Sequence, residues 1–202
     1  AENAEAAEFG TQDMARRQGA PCSMHDEARP WWVELEAIQR AVLFARATDA
    51  RLYICHMTIV EGAEFLKRER SRGTKVYVET CPHYLLFDKE IMNEKRSYAK
   101  CNPPIRSREN VEKLWDYVFD GTIDVLGSDH GPYSDEEKIK NGNFFLEYSG
   151  FGGFDAMLAG MITEGVHRRG LPLTTLAAIT AGNTARIRGL APVKGSLLPG
   201  AD

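Results

Sequence analysis

Three segments rich in β-branched and aromatic residues alternate along the chain with segments whose apolar residues recur at helical spacing. The β-rich segments are ARLYICHMTI (50–59), KVYVETCPHYL (75–85) and GTIDVLGSDH (121–130). Helical spacing is clear at residues 33–47, 60–72 and 108–119. Strands that alternate with helices at this interval are typical of parallel sheets with crossover helices. The sequence therefore predicts an α/β fold with about three parallel strands.

The rest of the chain divides into further helices and loops. Helical spacing is weak at residues 2–18 and clear at 153–169 and 173–181. Prolines and glycines predict loops at 19–30 and 131–150. The paired prolines of NPPIR exclude regular structure in a third loop.

Composition and charge exclude several classes of function. The 202 residues are 43% hydrophobic and 27% charged, with a net charge of -4, as in ordinary globular domains. No basic stripe suits nucleic acid, and no apolar run approaches the roughly 20 residues of a membrane span, so neither partner is expected. The absence of GxGxxG and Walker motifs disfavours a nucleotide-binding sheet. Four widely spaced cysteines suit reduced thiols in a cytoplasmic protein.

Each predicted strand ends in residues that can bind a metal or carry a proton. His56 ends the first, His83 follows the second, and Asp129 and His130 end the third. In a parallel α/β barrel the carboxyl ends of the strands meet at the reactive face. Neutral imidazole and carboxylate hold a hydrolytic zinc while leaving a position open for water, and a carboxylate can take that water's proton. The sequence therefore predicts His56 and Asp129 as metal ligands.

Each candidate also has a structural interpretation. A histidine in an apolar strand, such as His56, is often a satisfied core residue, and aspartates such as Asp129 commonly end strands. His83 either caps its strand or contacts substrate. Asn102, before two prolines, is either an ordinary turn residue or an amide offered to a ligand. The joint occurrence of His56 and Asp129 at equivalent strand ends favours their functional interpretation.

Other residues near these positions are expected to have minor roles. His130 is a candidate for orienting Asp129. Cys55 and Cys81 flank the candidates and are expected to point the other way, since strand side chains alternate between faces. A thiol nucleophile is therefore disfavoured. His25 and His167 are expected at the surface.

Four motifs together resemble the cyclic amidohydrolases, the family of hydantoinase, dihydropyrimidinase, allantoinase and dihydroorotase. In chain order they are ETCPHYL, NPPIR, GSDHGP and GNTARIRGLAPVKGSLLPGAD. The resemblance extends over nearly the whole chain, and four motifs in this order and spacing are more specific than any one of them.

The resemblance implies a metal-dependent (β/α)₈ barrel, usually with two metals, zinc being typical, bridged by a carboxylated lysine. It identifies His56 with the histidine that ends the sixth strand. It identifies Asp129 with the aspartate of the eighth strand, which binds metal and acts as general base. Asn102 matches a position whose backbone binds the cyclic substrate. Gly152 matches a second such position, where relatives often have asparagine.

The resemblance also implies that the chain is the C-terminal portion of the barrel. Residues 1–202 are expected to be a single barrel segment, truncated at both ends, with the other metal ligands in the missing N-terminal half. The chain alone is then expected to be inactive. The complete protein is expected to be a homo-oligomer.

Several functions stay open at this point. The first is hydrolysis of a ring C–N amide bond in a hydantoin, dihydropyrimidine or allantoin type of substrate by metal-activated water. A dihydroorotase, a non-catalytic scaffold and a cysteine hydrolase are the alternatives. Retention of both His56 and Asp129 favours an enzyme over a scaffold, because a scaffold needs neither residue.

Overall fold

The fold is built on a three-stranded parallel sheet, seen in a computed structural model that describes residues 1–140 and 142–201. The strands are β1 (Leu52–Ile54), β2 (Val76–Thr80) and β3 (Val125–Leu126), in the order β1-β2-β3. Leu52 pairs with Val76, and Glu79 pairs with Val125. The predicted α/β class with parallel strands is confirmed. Asn141, in the loop predicted at 131–150, and Asp202, the end of the predicted segment, lie outside the described residues.

Helices connect and cover the strands. Within the described residues the α-helices are α1 (Ala4–Ala15), α2 (His25–Ala28), α3 (Trp31–Thr48), α4 (Val60–Ser71), α5 (Pro82–Leu86), α6 (Ile91–Lys95), α7 (Arg108–Phe119), α8 (Asp135–Lys138), α9 (Met157–Met161), α10 (Leu173–Ala177) and α11 (Asn183–Ile187). Short 3-10 turns occur at Cys22–Met24, Arg96–Ala99 and Phe144–Leu146. Wider π-helical turns continue α9 at Ile162–Arg168 and join α10 to α11 at Ala178–Gly182. Within the described residues, no helix combines the length and apolar character needed to cross a membrane.

The long helices before and between the strands form where their apolar spacing predicted them. The predicted helices at 33–47, 60–72 and 108–119 correspond to α3, α4 and α7. Ser107 caps α7, because its side chain accepts a hydrogen bond from the backbone N–H of Asn110. Gly73 follows α4 with φ of 92°, a left-handed conformation that glycine adopts without strain.

All three strands are shorter than predicted, and one predicted strand contains a helix. The backbone enters the left-handed region at His56 (φ 38°) and Asp129 (φ 45°), so it turns away from the sheet at both points. The prediction that KVYVETCPHYL is strand throughout was wrong after Thr80. Pro82 starts α5 there, because its fixed φ suits the first turn of a helix.

The hydrophobic core lies on one face of the sheet. Val76, Val78 and Thr80 are buried, whereas the alternating Tyr77 and Glu79 are half-buried. The buried face packs against apolar side chains of α3, α4 and α7, namely Ile38, Val42, Ala63, Leu66, Leu114 and Val118. Burial of these side chains is the main favourable term in folding. The other face is left to Tyr53, Tyr77 and Glu79.

A buried ion pair anchors the NPPIR loop beside the end of β1. The guanidinium of Arg106 lies 3.0 Å from the carboxylate of Glu34, and both side chains are almost fully buried. The same guanidinium donates to Oγ1 of Thr58 and to Oδ1 of Asp26. Glu34 also accepts from the backbone N–H of Thr58 at 2.8 Å. The loop that carries Asn102 is therefore held by the segment that follows His56.

Gly127 leaves room for a charged side chain at the end of the sheet. It follows β3, and a Cβ atom there would lie 2.5 Å from Cδ of Glu79, on the neighbouring strand. This distance is much shorter than the van der Waals contact distance between two carbon atoms. A side chain at position 127 would therefore displace the Glu79 carboxylate.

Gly127→Ala is expected to lower the free energy of unfolding by about 1–3 kcal/mol, because overpacking displaces Glu79. Gly152→Ala is the matched control, since a Cβ at Gly152 would meet no atom within 4 Å. Urea unfolding of the 202-residue chain measures both. Equal stability of the two variants would contradict the steric argument.

Arg106→Met is expected to cost about 3–5 kcal/mol of stability, because it leaves Glu34 buried without its partner. Arg108→Met breaks an ion pair with Asp88 in which the arginine is 56% exposed. That control is expected to cost less than about 1 kcal/mol. A loss in the control as large as that in Arg106→Met, measured by urea unfolding, would argue against the buried pair as an anchor.

Candidate active site

His56 is held in an uncommon backbone conformation at the end of β1. Its φ of 38° lies in the left-handed region, which residues other than glycine seldom enter. Its backbone N–H donates to Oε1 of Glu79 at 3.1 Å. Its Nδ1 is buried and has no hydrogen-bond partner among the described residues. The imidazole is thus placed at the strand end with one nitrogen unused by the protein.

Glu79 links β1 to this site and was not singled out in the sequence. Its Oε2 accepts a hydrogen bond of 2.7 Å from the hydroxyl of Tyr53. Burial, together with that bond to the carboxylate, raises the pKa of Tyr53, so the phenol stays a neutral donor. The guanidinium of Arg188 lies 4.9 Å from the centre of the Tyr53 ring. The sequence signal for Glu79 is its position as an acidic residue inside a β-rich segment, which indicates a polar partner.

Asp129 lies at the end of β3 with its side chain open to solvent. Partial desolvation raises the pKa of its carboxyl group, the nearby His56 acts in the opposite direction, and Glu79 adds to the rise. Asp129 and His56 lie at the same edge of the sheet, because the strands that carry them are parallel. The two residues predicted as metal ligands come from the outer strands, with β2 between them.

Cys81 points into the site, so the prediction that it points away was wrong. Its sulfur, a ligand nitrogen of His83 and a carboxylate oxygen of Asp129 all lie within 4.8 Å of one another. The alternation of side chains did not apply, because β2 ends at Thr80 and α5 begins at Pro82. Cys55 is exposed, and all four cysteines are free thiols.

His83 is a buried, neutral imidazole. It stacks on Phe151 with ring centres 4.8 Å apart and planes at 19°. Burial, with a smaller contribution from His56, lowers the pKa of His83 to about 3. Its Nε2 is buried without a hydrogen-bond partner among the described residues. His83 therefore offers an uncharged ring nitrogen at ordinary pH.

His83 and Gly152, both predicted to contact substrate, line one cavity. Its volume is about 610 Å³, and its walls also include Phe87, Ser128 and Met157. The walls are mostly apolar, and Gly152 brings exposed backbone to them without a side chain. A cavity of this size with few polar groups suits a small organic ring.

Lys138 fixes the loop that carries Gly152. Its ammonium group donates to the carbonyl oxygens of Lys100, Tyr148 and Gly150, at 3.3, 3.1 and 2.5 Å. The Lys138 side chain is buried, which is unusual for a lysine. This burial lowers the pKa of its ammonium group. This lysine lies in a segment predicted as plain loop, and no pattern around it indicates that it is buried.

The loops after β3 and around Gly152 also pair directly. The N–H of Gly131 donates to the carbonyl of Phe151 at 3.0 Å. Nδ1 of His130 accepts from the N–H of Phe154 at 3.4 Å. His130 was expected to orient Asp129, but its Nδ1 hydrogen bond is to the glycine-rich loop. The pairing sets the distance between Asp129 and the cavity wall.

Asn102 lies on a different cavity, of about 370 Å³. Its Oδ1 accepts a hydrogen bond of 2.9 Å from Nε2 of His25. His25 was expected at the surface but is 1% exposed, and burial lowers its pKa to about 3. His167 is exposed, as predicted. The substrate role of Asn102 stays a prediction.

The donors at the strand ends fit a divalent metal ion. His56 and His83 each have a buried ring nitrogen without a partner among the described residues. Asp129 adds a carboxylate oxygen within 4.8 Å of a ring nitrogen of His83. Two imidazole nitrogens and a carboxylate are ligands of the kind found in hydrolytic zinc sites.

The sequence of the chain is similar to those of known enzymes. No family model matches the chain. The allantoinases of Salmonella newport and Salmonella dublin are each 39% identical over 192 residues, which are 94% of this chain and 42% of theirs. The chain therefore spans less than half the length of these curated relatives.

Solved structures agree with the sequence relatives. The dihydropyrimidinase of Brevibacillus agri superposes on 100% of this chain with a TM-score of 0.93 and 27% identity. The L-hydantoinase (dihydropyrimidinase) of Arthrobacter aurescens does so with a TM-score of 0.91 and 30% identity. The chain covers 45% of each. The sequence relatives and the structural ones therefore both support the cyclic amidohydrolase family, of whose members the chain matches a part.

Proposed function

We propose that the protein to which this chain belongs hydrolyses a ring C–N amide bond in a cyclic amide or imide. The observation that carries the proposal is the placement of Asp129 and His56 at one edge of the sheet, after the carboxyl ends of β3 and β1. The names of the relatives, allantoinase and hydantoinase (dihydropyrimidinase), give the substrate class. Such substrates are of the allantoin, hydantoin or dihydropyrimidine type.

His56 and Asp129 would hold a divalent metal, with zinc the first candidate. Such an ion, when bound, lowers the pKa of a coordinated water to about 7. The site takes its remaining ligands, and a second metal, from the part of the barrel that relatives have beyond this chain. We infer that the 202-residue segment alone is inactive for that reason. Its cytoplasmic location and its assembly into a homo-oligomer stay predictions.

Asp129 acts as the general base. Its carboxylate accepts a proton from the attacking water while the new C–O bond forms at the ring carbonyl. It then gives this proton to the ring nitrogen as the C–N bond breaks, so the nitrogen leaves as a neutral group. Partial desolvation makes Asp129 a stronger base than an ordinary aspartate.

His83 and Gly152 bind the ring. The cavity between them is mostly apolar and excludes water from the ring faces. The exposed backbone at Gly152 offers hydrogen bonds to an amide or imide edge, and neutral His83 adds no charge. The second backbone contact, which the family resemblance assigns to Asn102, stays a prediction, because Asn102 lines a different cavity.

The lining of the cavity favours a neutral ring over dihydroorotate. Among the described residues that line it, there is no lysine or arginine, and Glu164 is acidic. Dihydroorotate carries a carboxylate, which needs a cationic partner when it is desolvated. The dihydroorotase alternative is therefore the less favoured one. A non-catalytic scaffold has no need of unpartnered ring nitrogens at His56 and His83.

Asp129→Asn in the complete protein is expected to lower turnover of allantoin, hydantoin or dihydrouracil at least about a hundredfold, because it removes the general base. The shape of the side chain is kept, so circular dichroism is expected to be unchanged. Asp116→Asn, an exposed position on α7, is the matched control. Near-normal turnover in a folded, metal-loaded Asp129→Asn protein would reject the proposal.

Gly152→Val is expected to lower kcat/KM at least about tenfold by filling the wall of the substrate cavity, a loss of about 1.4 kcal/mol of binding. Its stability is expected to change by less than about 0.5 kcal/mol, because the position is open. Steady-state kinetics and urea unfolding test the two statements separately. Unchanged kcat/KM would remove Gly152 from the substrate site.

A further inference from the structure

Cys81, His83 and Asp129 bring three different ligand types to one point at the ends of β2 and β3. Their sulfur, imidazole nitrogen and carboxylate oxygen lie within 4.8 Å of one another. Ligands at about 2.0–2.3 Å from a tetrahedral zinc stand about 3.5 Å apart. Small side-chain rotations therefore suffice to place all three atoms on one ion.

We propose that Cys81, His83 and Asp129 form a binding site for a thiophilic divalent cation such as zinc or cadmium. The metal set that the family resemblance implies contains histidines, a lysine and an aspartate, but no thiolate. The site proposed here therefore adds a sulfur ligand, and it does not depend on the hydrolytic function.

His83 supplies a ring nitrogen to the group. Its Nε2 is also buried without a partner among the described residues, which costs free energy in the absence of a ligand. Stacking on Phe151 fixes the ring plane, so little side-chain entropy is lost when an ion binds.

Cys81 determines which ions the site selects. Its thiol is fully buried. An ion that binds there displaces the thiol proton: the S–H bond breaks, a metal–sulfur bond forms, and the proton leaves to solvent. Thiolate ligands favour zinc and cadmium over magnesium or calcium.

Asp129 gives the ion its route from solvent. It is the exposed member of the group, whereas Cys81 and His83 are buried. An ion can therefore be captured by the carboxylate and passed inward. Once bound, it engages the same carboxylate that acts as base in the proposed reaction.

The test uses cobalt(II) alone as a probe of the metal-free 202-residue chain. Thiolate ligation gives a sulfur-to-cobalt charge-transfer band in the near ultraviolet. We expect this band to saturate at one cobalt per chain, and cadmium(II) to abolish it by displacement. Cys81→Ser and Cys81→Ala are each expected to remove the band, and His83→Ala to weaken binding more than about tenfold through loss of one of three ligands.

Cys55→Ser is the matched control, because Cys55 is the exposed thiol that follows β1 and lies outside the group. It is expected to keep the band, as is His56→Ala. Absence of the band in the wild-type chain would overturn the proposal, and this outcome needs no variant. A band that survives both Cys81 variants, or that Cys55→Ser or His56→Ala removes, would also overturn it, since the ion would then have other ligands.

Discussion

The carboxylate of Glu79 joins the ends of all three strands. Glu79 lies on the central strand, accepts from Tyr53 on β1 and from the backbone of His56 beyond it, and occupies the space that Gly127 leaves after β3. Hydrogen bonds to a charged acceptor are stronger than those between neutral groups. The left-handed turn at His56, and so the place of its imidazole, therefore depends on a residue that performs no chemistry itself.

A second set of buried polar groups positions the loops around the site. Arg106 fixes the NPPIR loop through Glu34 and Thr58, and Lys138 gathers the carbonyls of the loop before Gly152. Both cations are buried, and each donates to several oxygen acceptors of the protein. Strand-end sites in parallel α/β folds depend on such loops, because the strands place only the first residues of the site.

Much of the fold could be predicted from the sequence, because helix α7 and its neighbours have strong amphipathic patterns and the strands are rich in β-formers. The strand ends could not be predicted, since the chain turns into the left-handed region at His56 and Asp129, and the turn at His56 depends on Glu79 from another strand. CPHYL is apolar enough to continue a strand, but a helix begins within it. The Cys81 side chain therefore points into the site, although strand alternation predicted that it points away. The common placement of His56, His83 and Asp129 at one sheet edge could be predicted, because it follows from parallel strands, and their roles in the site stay predictions. The burial of His25 could not be predicted, because nothing near it in sequence shows the loop that covers it.

Gly127 and Glu79 also constrain each other's evolution. The glycine is required only while a carboxylate occupies the space beside it, and the carboxylate fits only while the glycine remains. A side chain at position 127 becomes acceptable after residue 79 has shortened, but the backbone of residue 56 then loses its acceptor. The order in which substitutions are accepted therefore matters, and this pair is expected to show strong epistasis, with each single change worse than the double change in stability.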